Sequence, residues 1–206
     1  MRGERVIPLH GRILKRAFDL AVSFTGICGL WWLIALAWVV ASVDTGMNGM
    51  FVQRRVGRFG REFRVFKIRT MRPSAAVTTT VTSDFDPRIT RLGRIFRKIK
   101  VDELPQLFNV LLGQMSFVGP RPDVGEYSGA LEGEDRLVLS VRPGITGPAT
   151  LKYRNEEALL AAQDDPEAYN REVVWPDKVR INLEYVRSWS FGKDLHYLHQ
   201  TLFSRS

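Results

Sequence analysis

Residues 20–43 read LAVSFTGICGLWWLIALAWVVASV, from Leu20 to Val43, and none of these 24 side chains is charged. As a helix the run would be about 36 Å long, enough to cross a hydrocarbon core of ~30 Å. It is too long for the h-region of a signal peptide, and no A-x-A-like site follows it. Its flanks are both basic. Arg2, Arg5, Arg12, Lys15 and Arg16 precede it; Arg54, Arg55, Arg58, Arg61, Arg64, Lys67, Arg69 and Arg72 follow it. The positive-inside rule would hold both flanks on the cytoplasmic side. A re-entrant or interfacial helix satisfies both flanks and a plain span does not, although the sequence leaves both open. Gly26 and Gly29 are the weak points at which a returning helix would bend, and no proline lies in the run.

The basic character is unevenly distributed. The 206 residues carry 30 Lys and Arg against 22 Asp and Glu, a net charge of +8. Residues 1–100 hold 19 basic and 6 acidic side chains, net +13, and the remainder is net −5. A cationic half rich in arginine attracts phosphate, whether of nucleic acid, anionic lipid or a phosphorylated substrate. A mean hydropathy of −0.12 leaves room for one apolar segment and not for several spans. One cysteine, Cys28, excludes an internal disulfide, and His10, His196 and His199 form no metal-ligand pattern with it.

Downstream, residues 51–71 mix apolar residues with arginines in two runs, and Gly57 and Gly60 mark a turn between them, which predicts a β-hairpin. Residues 73–86 predict a loop. Ile89, Leu92, Ile95, Phe96 and Ile99 share one face of a basic helix, the pattern of a membrane-surface segment or of a solvated helix on a core. Asp102 and Glu103 then precede an apolar run from Leu104 to Leu112, with Pro105 suited to a first helical turn. Such carboxylates are ordinary helix caps, or acids at a phosphate-attracting helix end. Arg121, between two prolines, and Arg142, heading Pro143-Gly144, sit in rigid turns. Residues 155–172 predict an acidic, solvated helix, and 175–203 amphipathic helices. No P-loop, G-x-G-x-x-G fingerprint or G-x-S-x-G elbow is present. A carboxylate pair with arginines suits Mg²⁺ and a diphosphate.

Seven stretches, in this order, resemble the bacterial sugar transferase family of monotopic phosphoglycosyl transferases. They are Lys15 to Leu20, Gln53 to Gly57, Phe66 to Met71, Asp86 to Gly93, Asp102 to Leu107, Ser116 to Pro122 and Arg142 to Gly147. The resemblance implies a small α+β, mostly helical, membrane-associated domain. Residues 1–50 would form a re-entrant anchor, and residues 51–206 a catalytic unit on the cytoplasmic face of the bacterial inner membrane. It implies transfer of a sugar-1-phosphate from a UDP-sugar to a polyprenyl (undecaprenyl) phosphate, with release of UMP and with Mg²⁺ as cofactor. Asp102 would carry a covalent phosphosugar, with Glu103 assisting through the metal that both carboxylates hold. Arg97, Arg121 and Lys67 would contact substrate phosphate, and Arg88 and Arg142 complete the substrate-binding candidates. Membrane lipid is an expected partner, nucleic acid is not, and a homodimer is left open.

Two positions depart from the family pattern. Trp31 and Trp32 stand where a Ser-Pro turn is usual, and Asn182 aligns with an aspartate. The competing readings are a membrane-tethered basic binding module, direct transfer in a ternary complex, and a degenerate family member. Sugar specificity is expected in residues 73–86 and 148–182.

Overall fold

The computed structural model describes residues 6–73, 86–123 and 129–203. The uncharged run becomes the centre of one helix, α1 (Leu9–Thr45, 37 residues), about 55 Å long. It is long and apolar enough to cross a membrane. Gly26 and Gly29 lie inside it without a break, and the left-handed Gly46 ends it by donating its N–H to Ser42 O at 3.0 Å. The helix runs through both glycines as one element.

One stripe of α1 rests on the rest of the protein along nearly its full length. Lys15, Asp19 and Ser23 are buried towards one end, and Ile34, Ala37, Ala41 and Thr45 towards the other. Between them, Gly26 lies against Leu107. The remaining faces expose Phe24, Trp31, Trp32, Leu36 and Val39.

The basic residues just before the run serve packing rather than a charged surface. Arg16 donates to Val110 O (2.7 Å) and Leu111 O (2.9 Å), which neutralises the last carbonyls of α3 (Gln106–Leu111). Lys15 Nζ donates to Val118 O (2.9 Å) and pairs with Asp194 at 2.5 Å. Asp19 accepts from Ser116 Oγ and Phe117 N, each at 3.1 Å.

The expected hairpin is present. β1 (Met50–Val56) pairs antiparallel with β2 (Glu62–Ile68), Met50 opposite Ile68 and Val56 opposite Glu62. Its turn uses left-handed Phe59 and Gly60. The expected loop over 73–86 lies outside the described residues apart from its ends. α2 (Arg91–Lys98) follows, one turn shorter than the predicted stripe. Leu92, Ile95 and Ile99 are exposed, while Phe96 turns inward onto Ala37, Ala41 and Ile68.

Two motifs read separately as rigid turns are partners. β3 (Ser116–Val118) pairs in parallel with β4 (Gly144–Thr146). Gly119 and Gly144 let the backbones meet: a Cβ on Gly144 would lie 2.2 Å from Gly119 N.

After α4 (Pro148–Lys152), the acidic stretch is broken into α5 (Glu156–Ala161) and α6 (Pro166–Tyr169), where Pro166 opens the new helix. A wide helical turn over Asn170–Val174 leads into α7 (Trp175–Arg187), and α8 (Phe191–Phe203) closes the described chain. The result is α+β and mostly helical, with two small two-stranded sheets among the described residues.

Candidate active site

Asp102 and Glu103 do not begin a helix directly. α2 stops at Lys98, Lys100 adopts a left-handed conformation (φ 60°), and Val101–Glu103 make a tight 3₁₀ turn before α3. The reversal places the pair beside β2. Its distance from β2 is fixed by Asn109 of α3, a fully buried amide. Asn109 Oδ1 accepts from Phe66 N (3.0 Å) and its Nδ2 donates to Arg64 O (2.6 Å), so α3 binds the strand that carries Lys67.

At the other end, Thr90 caps α2 by accepting from Gly93 N at 2.8 Å. Gly93 sits so close to Thr70 that a Cβ would lie 2.2 Å from Thr70 O. These contacts locate Arg97.

The two carboxylates have opposite environments. Asp102 is 8% exposed, and its Oδ1 has no hydrogen-bond partner. Burial, reinforced by the charge of Glu103, pushes its carboxyl up to about 6, against the pull of Lys67, Lys100 and Arg97. For Glu103, burial also acts upward, but Arg121 and Lys67 overcome it and hold the carboxyl down at about 2. Its Oε1 accepts from Arg121 Nη2 at 2.6 Å and faces Lys67 Nζ at 3.6 Å. Lys67 is itself lowered to about 8, by burial first and then by Arg121.

Around neutrality the site therefore holds one firmly ionised, clamped carboxylate. Beside it is a second carboxylate with an oxygen free to bond. Free lone pairs on a buried carboxylate suit a nucleophile or a cation ligand.

The other sequence candidates fall in three places. Arg121 and Lys67 join the pair directly. Arg97 is near enough to lower Asp102, but it is held by Thr70 Oγ1 (3.1 Å), Met71 Sδ (3.4 Å) and Glu157 Oε1 (2.9 Å). Arg88 grips Asp86 at 2.6 Å, and Arg97 lowers that same aspartate. Arg142 is not brought to the pair. Its Nε donates to Gly113 O (2.7 Å), and its charged neighbours are Arg16, Asp19 and Arg12, because the β3–β4 pairing carries it towards the start of α1.

The acidic stretch is more than a solvated face. α5 sends Glu157 to Arg97, and Glu156 to Lys178 at 2.6 Å. Sequence reasoning also missed Asp123, whose carboxyl burial lifts to about 6 although Lys178, Arg55 and Arg121 pull it down. Its position just after Arg121-Pro122 was the only available signal. Asn182 is buried in a crevice beside Arg121, and its Oδ1 is also without a partner.

A magnesium ion needs only one or two carboxylates when substrate phosphates and water complete its shell. Asp102, with its unpartnered oxygen, and Glu103 fit that sparse set. Among the described residues no group of three or more His, Cys, Asp or Glu could form a fuller one.

A helical scaffold with one long apolar helix, presenting an Asp-Glu pair among arginine and lysine side chains, suits the transfer of a phosphoryl group. The chain belongs to the bacterial sugar transferase family, whose model matches residues 10–205.

It is 39% identical over 204 residues to the undecaprenyl-phosphate glucose phosphotransferase of Komagataeibacter xylinus, covering 93% of this chain and 36% of that protein. It is 34% identical to the Bacillus subtilis sugar transferase EpsL, over 92% of this chain and 86% of that protein. It is 32% identical to an Escherichia coli UDP-glucose:undecaprenyl-phosphate glucose-1-phosphate transferase, over 98% and 44% respectively. The chain thus spans about a third of the K. xylinus protein and less than half of the E. coli one, but most of the B. subtilis one.

Proposed function

We propose that this chain transfers a sugar-1-phosphate from a UDP-sugar to an undecaprenyl-type polyprenyl phosphate, releasing UMP. The observation that carries the reading is the buried Asp102 with an unpartnered oxygen, beside a Glu103 clamped by Arg121 and Lys67. Family membership and the names of the relatives supply the substrate class.

In the first step an Asp102 oxygen attacks the phosphorus that bears the sugar. The bond from that phosphorus to the bridging oxygen breaks, and UMP leaves with the oxygen. In the second step a phosphate oxygen of the lipid attacks the same phosphorus and the Asp102 carboxylate leaves, giving the polyprenyl diphosphate sugar. Lys67, Arg121 and Arg97 hold the phosphate oxygens. Glu103 keeps Lys67 and Arg121 charged and oriented. Asp102 and Glu103 would hold Mg²⁺, which would supply positive charge to offset that of the diphosphate. Two half-reactions spare the site from holding both anionic substrates at once.

We place the work at the cytoplasmic face of a bacterial inner membrane, with both basic flanks of α1 on the same side. The stripe of α1 seated on the catalytic body supports this, as do the exposed Trp31, Trp32, Leu92 and Ile95. In this reading α1 returns its two ends to one side by lying along the interface rather than by a sharp bend.

The test is UMP release from a panel of UDP-sugars with Mg²⁺ and undecaprenyl phosphate. Ping-pong kinetics and a sugar-phosphate adduct lost in Asp102→Asn are expected. Sequential kinetics with an active Asp102→Asn would refute the covalent route. Flotation with anionic vesicles, weakened by Leu92→Glu with Ile95→Glu, tests the seating.

A further inference from the structure

Beside the carboxylate pair, and sharing Arg121 with it, lies a crevice that the transfer chemistry does not use. One wall is the stripe of α7 at i, i+4 and i+7, namely Trp175, Val179 and Asn182. Leu131 and Val138 back it, and Asp123 stands at the rim. The floor is apolar with one exception. Asn182 is 8% exposed, and no described residue accepts from or donates to its amide, so its buried Oδ1 is an orphan. An unsatisfied amide in an apolar wall costs on the order of 1–3 kcal/mol unless something from outside meets it. Among the described residues nothing donates to the Asp123 carboxylate; burial first lifts its carboxyl, Glu156 adds to that, and Lys178, Arg55 and Arg121 pull it down.

We infer that this crevice is the subsite for the sugar ring of the donor, with Asn182 and Asp123 reading its hydroxyl pattern; the inference rests on the transfer reaction proposed above. A carboxylate and an amide are each able to bond a pair of neighbouring hydroxyls, and the Trp175 ring that lines the crevice suits the apolar face of a pyranose. The connectivity of the substrate favours the sugar over the base. The phosphorus attacked by Asp102 is joined to the sugar by a single bridging oxygen, whereas uracil lies a further phosphate and a ribose away. Arg121 is the wall common to crevice and carboxylates, so whatever fills the crevice adjoins the reacting phosphorus. Asn182 then has a role that the usual aspartate at this position would play differently: the amide offers one donor and one acceptor edge where a carboxylate only accepts.

The experiment measures binding of UDP-glucose, its C4 epimer UDP-galactose, UDP-N-acetylglucosamine and UMP to the full chain carrying Asp102→Asn, which does not turn over. The expected result is a ranking among the three sugars that Asn182→Ala compresses by about tenfold, the value of one hydrogen bond. UMP affinity should stay within about twofold. Asp123→Asn, at the rim, gives a second reading of the ranking should Asn182→Ala fail to fold.

Weakened UMP binding with an unchanged ranking would overturn the inference in favour of a base subsite. No change in either quantity would reduce the crevice to a packing gap. Equal binding of all three sugars to the parent overturns it too. A protein that ranks sugars through Asn182 yet releases no UMP keeps this inference and loses the transfer reaction. One that releases UMP with its ranking untouched in both variants does the reverse.

Discussion

Asp102→Asn should make the protein more stable while destroying the proposed chemistry. Burial lifts the Asp102 carboxyl from 3.8 to about 6. The folded chain therefore holds that proton more tightly than the unfolded chain. This group's contribution to stability is fully present below pH 3.8 and is lost as pH rises through about 6. The gap is about two pH units, at ~1.4 kcal/mol each, so a penalty of up to about 3 kcal/mol is carried at pH 8. Asparagine has the same shape and no charge to desolvate.

Thermal unfolding in detergent with EDTA, which keeps divalent cations from offsetting the charge, reads the difference. For a chain of this size 1 kcal/mol is ~2–4 °C. The variant should melt about 5–10 °C above the wild type at pH 8, and the gain should shrink to about a third at pH 4.5. No gain at pH 8, or the same gain at both pH values, would refute the account of Asp102 as a desolvated carboxylate.

Three further outcomes follow from the same geometry. With Asp102 needed ionised and Lys67 needed charged, kcat/KM should rise through pH 6 and fall through about 8, and Lys67→Gln should lose the alkaline limb. An alkaline limb retained in that variant would dissociate it from Lys67. Lys15→Met should cost about 3–5 kcal/mol in denaturant titration by stranding Asp194, and adding Asp194→Asn should recover part of the loss. Strict additivity of the two changes would show that the pair is not coupled. Gly93→Ala should drive a methyl group into Thr70 O, costing about 1–3 kcal/mol and lowering kcat/KM by shifting Arg97; unchanged melting and kinetics would contradict that close approach.

The sequence exposed features whose cause is local. An unbroken apolar run makes α1, two short apolar-and-arginine runs around the turn at Gly57 and Gly60 make the β1–β2 hairpin, and a carboxylate pair before Pro105 marks the candidate site. Features made by distant parts of the chain stayed hidden. Arg142 looked like a second phosphate-binding turn, and only the pairing of β3 with β4 shows it directed elsewhere. Lys15 and Arg16 were legible only as part of a basic flank on the cytoplasmic side, and they reach carbonyls at Val118, Val110 and Leu111. Glu156 and Glu157 looked solvated because their partners, Lys178 and Arg97, lie 22 and 60 residues away. Asn182 could be singled out only as an odd residue at its position; its burial beside Arg121 requires the packed chain.

The Lys15–Asp194 pair joins residues 179 apart in the chain. At a synthesis rate of ~5–20 residues per second, roughly 10–35 s pass between the appearance of the lysine and that of its partner. Throughout that interval Lys15 lacks its carboxylate partner, while the other partners of the α1 stripe, Ile68, Phe96 and Leu107, emerge sooner. The support of α1 is therefore completed in stages, with the Lys15–Asp194 pair among the last, and until then its 24-residue uncharged run needs a host other than the finished fold.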